Sequence, residues 1–65
     1  MDDFKERLRI EFKELYNKIN KLDDFINSEQ INNVDENQRP LLSVQLSSMR
    51  TYLQCIGSRL QLLKD

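Results

Sequence analysis

Glycine and proline occur once each in this 65-residue chain, so there are few places for it to turn and long helices are favoured from the outset. Histidine is absent and cysteine occurs once, which excludes an intramolecular disulfide and any familiar zinc spacing. No apolar run approaches the roughly 18 residues of a membrane span, so no membrane partner is expected. A lone Cys55 and the lack of a signal peptide both point to a reducing, cytoplasmic setting. There is no glycine-rich phosphate loop. Without histidine, catalysis would have to rest on Glu11, Glu14 or another carboxylate, and no second acid falls beside one at the spacing of an acid/base pair or a metal site. The expectation is a protein that is not an enzyme and needs no cofactor or metal.

A basic excess is also missing. Ten Lys and Arg stand against eleven Asp and Glu, a net charge of -1, which argues against nucleic acid as a partner. The distribution is uneven: residues 38–65 carry Arg39, Arg50, Arg59 and Lys64 against Asp65 alone, while the stretch before them carries Glu29, Asp35 and Glu36 with no base. An anion would be drawn to the second half of the chain.

What is present is a pair of seams. Asp3, with Glu6 three residues on, reads as a capping box that starts a helix. From there Leu8, Phe12, Leu15, Ile19, Leu22 and Ile26 recur at alternating spacings of four and three, the pattern of a packed helical seam. A second seam, Leu42, Leu46, Met49, Leu53, Ile56, Leu60 and Leu63, follows Pro40, whose missing N–H is tolerated in a first helical turn. The polar stretch between has no run long enough for another packed helix, although Ile31 and Val34 should tuck under it. The whole chain, 1–65, therefore reads as a single all-α antiparallel hairpin: helix 1 over about 3–27, a loop over 28–37, and helix 2 over about 38–63. Two helices enclose no interior, and the uncovered apolar area should be met by further copies in a homo-oligomeric helical bundle.

Beside the second seam runs another seven-residue register: Leu41, Gln45, Ser48, Tyr52, Cys55, Arg59 and Leu62. Its middle is polar and would lie along one edge of the buried face, partly shielded from water. On helix 1 the comparable edge places Arg7, Glu11 and Lys18 between Phe4 and Phe25. Guanidinium, amide and phenol groups beside an apolar wall can pair with phosphate oxygens and stack on a base, so the candidate ligand-binding residues are Arg7, Glu11, Gln45, Tyr52 and Arg59. The same residues have a plainer reading, in which polar groups at the edge of a seam fix its register and Arg7 pairs with Glu11 within one helix. Cys55, with no base to activate it, reads as a small buried apolar group. Gly57 costs about 1 kcal/mol relative to alanine inside a helix, and close helix contact would compensate.

The order Phe4, Arg7, Glu11, Leu15, Ile19, Leu22, Phe25, Ile26, then Leu41, Leu42, Gln45, Met49, Tyr52, Leu53 and Arg59, resembles a family of small phage-encoded proteins named after a gut crAss-like phage. The resemblance implies a bacteriophage accessory protein working in the cytoplasm of an infected bacterium. Small oligomeric phage proteins of similar build include sponges for nucleotide second messengers of bacterial immunity, such as cyclic dinucleotides or cyclic ADP-ribose isomers. By that analogy of architecture, the partners are further copies of the chain and a small nucleotide-like anion. Two alternatives stand beside it: an adaptor binding a host protein through its helical face, and a small RNA-binding helical bundle.

Overall fold

The computed structural model describes residues 3–63. Lys64 and Asp65, counted above in the charge of the second half, lie outside the described residues. Helix α1 spans Phe4–Ile26 and helix α2 spans Arg39–Leu62, against the expected 3–27 and 38–63. Among the described residues there is no strand.

α1 begins where Asp3 places its carboxylate on the Lys5 N–H at 2.9 Å, satisfying one of the donors that a helix start leaves without a partner. Only half of the expected capping box is drawn. Glu6 instead accepts from the Arg9 guanidinium at 3.3 Å, one turn further along the exposed surface. α1 ends at Asn27, whose N–H donates to Asp23 O and whose side-chain amide also donates there at 2.9 Å.

The connection is more ordered than a plain loop. Ser28 caps a short 3₁₀ segment, Glu29–Asn33, by accepting from the Gln30 N–H at 3.2 Å, while its own hydroxyl donates back to Phe25 O at 2.7 Å. Ile31 and Val34 are half-buried beneath it, as their apolar character requires. The Asp35 carboxylate accepts from the Asn37 N–H at 3.0 Å and turns the chain into α2, which has Pro40 in its first turn. Arg39 then ties the connection down. Its Nε donates to Val34 O at 2.9 Å and its Nη2 to Asn32 O at 3.1 Å.

The two helices pack antiparallel through the expected seams. Leu8 and Ile19 on α1 and Leu46 and Ile56 on α2 are the buried residues, and the other seam positions are half-buried. Phe12 meets α2 at Gly57, where a Cβ would stand 3.4 Å from the ring. The result is a rod measuring 46 × 18 × 15 Å with a radius of gyration of 14.9 Å. A compact chain of this length would have a radius near 11 Å. Most of the apolar stripe is thus covered on one side only.

Candidate functional site

An antiparallel pair has two flanks, and cross-helix contacts identify both. On one, the Tyr52 hydroxyl donates to the Glu11 carboxylate. On the other, Arg50 approaches Asp23 at 3.5 Å, with both side chains substantially exposed. The flank with Glu11 and Tyr52 carries every predicted ligand residue. Arg7 stands one turn before Glu11 on α1, and Arg59 two turns after Tyr52 on α2. The register set by Glu11 against Tyr52 and by Phe12 against Gly57 carries Arg7 and Arg59 toward the same end of the hairpin. Gln45 does not join them. It lies two turns on the far side of Tyr52, and 14 residues of helix put its Cα about 21 Å from that of Arg59.

The flank is open. Gln45, Ser48, Tyr52, Cys55 and Arg59 are all exposed, so the partial shielding expected from the sequence is absent in the single chain. Cys55 corrects the sequence reading most directly, because it is an exposed free thiol and not a buried apolar group. The physical reason is position: this register is turned about a quarter of the way round the helix from the seam, too far for the sister helix to cover. Leu41 and Leu62 at the two ends of the register are 57% and 85% exposed, and Phe4 across from Leu62 is 51% exposed.

Electrostatics distinguish Tyr52 from its neighbours. Its phenol is raised above the ordinary value of 10.0, chiefly by the hydrogen bond to Glu11, then by desolvation and by the negative charge of Glu11, while Arg59 pulls it down. Glu11 therefore holds the phenol protonated, and the positive charge of Arg59 reaches the same group. The three basic residues of α2 have different occupations. Arg39 is spent on loop carbonyls and Arg50 pairs with Asp23, whereas Arg59 has no ion pair among the described residues. Sequence reasoning did not find the Arg39 anchor or the Arg50–Asp23 pair. Only the sequel of a polar turn by Arg39 could have hinted at the first.

Three concave patches touch this flank only at its margins, through Ser48 and Phe25. One runs along Ser43, Val44, Ser47, Ser48 and Thr51, another sits under the connection near Lys21, Phe25 and Gln30, and a third is the notch of about 300 Å3 at Phe12, Gly57, Leu60 and Gln61. Each is open to solvent. Among the described residues no three His, Cys, Asp or Glu side chains gather as metal ligands, and no helix is long and apolar enough to cross a membrane.

A family model described as Sequestin matches residues 2–62, the span of both helices and the connection. The chain belongs to the Sequestin family. No curated protein and no solved structure matches it. The family match covers the residues that carry the resemblance to small phage proteins, and Arg7, Glu11, Gln45, Tyr52 and Arg59 all fall within it.

Proposed function

We propose that this Sequestin-family chain is a phage accessory protein that binds and sequesters a nucleotide-derived immune signal, of the cyclic nucleotide or cyclic ADP-ribose type, as a homo-oligomer and without catalysis. It would work in the cytoplasm of the infected bacterium. The family name speaks of sequestration. The observation that carries the reading is the Glu11–Tyr52 pair on an open flank, with Arg59 lacking an ion pair beside it.

In this reading each group has its own part. Glu11 fixes the phenol while the Tyr52 side chain, 46% exposed, offers its ring to a base or ribose. Arg59 and Arg7 pair with phosphate oxygens through their forked donors. Gln45 reads a polar edge. Sequestration needs no bond to be made or broken, because a binder present in excess of its signal lowers the free signal by mass action alone.

The experiment is a calorimetric titration of a panel of cyclic dinucleotides and ADP-ribose derivatives against wild type, Arg59→Ala and Tyr52→Ala. Melting curves are recorded on the same samples. Wild type should bind a panel member, and each variant should remain folded while losing at least about tenfold in affinity, about 1.4 kcal/mol. Variants that melt earlier with binding unchanged would return these residues to a structural role. Complete silence of the panel would favour the adaptor, for which exposed Phe4, Leu41 and Leu62 offer an apolar surface to a host protein.

A further inference from the structure

Among the described residues, four of the seven large apolar or aromatic side chains left exposed, Phe4, Leu41, Tyr52 and Leu62, lie on the flank that carries Glu11 and Arg59. The other three, Ile10, Tyr16 and Val44, are scattered over other faces. The flank is turned about a quarter turn from the seam on both helices, which is the angle between adjacent sides of a four-helix square. A face bounded by the two longer dimensions of the rod, 46 and 18 Å, is roughly 800 Å2, the area each partner contributes to an interface of standard size.

The order of residues along this flank is close to a palindrome. On α1 it runs Phe4, Glu11, Lys18, Phe25, each seven residues from the next. Lay a second α1 against it in the opposite direction and each phenylalanine meets a phenylalanine, while each Glu11 meets the partner's Lys18. On α2 the same inversion sets Leu41 against the partner's Leu62 and Ser48 against the partner's Cys55. Tyr52 then falls beside the two-fold axis. Arg59 falls opposite the partner's Gln45, the one predicted ligand residue that its own chain holds about 21 Å away. The two inversions share an axis to within about one helical turn, given the register of α1 on α2.

We infer that a second copy of this chain covers the Glu11–Tyr52 flank, α1 on α1 and α2 on α2 and antiparallel. Each binding site then takes Arg7, Glu11, Tyr52 and Arg59 from one protomer and Gln45 from the partner. The choice of this packing over α1 on the partner's α2 rests on that order, since the latter would set Arg59 against the partner's Arg7, like charge on like charge; the ligand assigned to the site rests on the sequestration reading. The ligand that fits each site is a flat nucleotide-like anion, its phosphates at Arg59 and its base on the Tyr52 ring beside the axis.

The lone cysteine makes the packing testable. Ser48→Cys, an exposed position, places a thiol opposite the partner's Cys55, within reach of a disulfide between helices packed about 8–10 Å apart. Within one chain, residues 48 and 55 are two turns apart and cannot bridge. Mild oxidation with diamide should drive Ser48→Cys to covalent dimer. Wild type, with Cys55 alone, and Ser47→Cys, about 100° round the helix from Ser48, should stay uncrosslinked. Equal crosslinking in all three, a dimer in sedimentation that Ser48→Cys does not trap, or a folded monomer by circular dichroism and sedimentation would each overturn the proposed packing. The nucleotide titration is a separate readout: a trapped dimer that binds no panel member keeps the interface and removes the sequestration reading.

Discussion

Tyr52 is the residue whose chemistry the fold changes most. A hydrogen bond to a carboxylate favours the protonated phenol, and so does the negative charge that carboxylate carries. Because its value in the folded chain lies above 10.0, the pair contributes stability that is fully present below pH 10 and lost as the pH rises through the raised value. In a Tyr16→Phe background, which leaves Tyr52 as the single tyrosine, the absorbance of phenolate should appear at a midpoint above 10, and Glu11→Gln should bring it back toward 10. A midpoint unmoved by Glu11→Gln would mean that the pair is not formed in solution. Gly57 permits a second forecast at this scale. Its added Cβ would meet Phe12 at 3.4 Å, the edge of ordinary van der Waals contact, so the helical preference of alanine decides the sign. Gly57→Ala should raise stability by up to about 1 kcal/mol in urea unfolding, whereas Gly57→Leu should lower it by driving into the Phe12 ring.

The elements are held at their ends by a few polar groups, and each has a different kind of replacement. Asp3 starts α1, and Asp3→Ala should cost about 1 kcal/mol, read as a lower melting midpoint with little change in helix content. α2 starts without a side-chain cap at Gln38, so the job of fixing its entry falls to Arg39, which grips two carbonyls of the connection at once. Lysine cannot imitate that fork. Arg39→Lys and Arg39→Ala should therefore both speed amide hydrogen exchange at Ile31 and Val34, whose N–H groups bond back within the connection, while protection in the middle of α1 and α2 is kept. Uniform acceleration along the whole chain would instead place Arg39 in the global stability of the hairpin.

At the scale of the whole molecule, the four buried side chains among the described residues are a small core, and of these Ile56 is fully enclosed. Ile56→Ala should cost about 2–5 kcal/mol, a large share of the stability of any small domain, and is expected to unfold the chain at room temperature or nearly so. If a second copy covers the apolar surface that this rod leaves open, as proposed, folding is linked to concentration. Melting midpoints should rise over a hundredfold increase in protein concentration, and sedimentation at micromolar levels should give at least twice the mass of 7.8 kDa. A midpoint that is flat with concentration, with a monomer in the cell, would refute the homo-oligomer.

Helix positions and seams were legible because they depend on residue type and spacing along one chain, and no distant partner is needed to read a repeat of Leu8, Phe12, Leu15 and Ile19. The scarcity of glycine and proline and the Pro40 start carried the hairpin in the same way. What the tertiary structure alone decided is which residue on α1 stands across from which on α2. That register depends on the path of the connection, on a 3₁₀ segment capped by Ser28 and gripped by Arg39, whose course no periodicity encodes. It set Glu11 against Tyr52 where the sequence allowed Glu11 to pair with Arg7, and it separated Gln45 from Arg59. Burial at the flank was misread for Cys55 for a related reason: a position beside a seam is covered only if a neighbour stands there, and in a two-helix rod none does, because each helix has one companion and two sides.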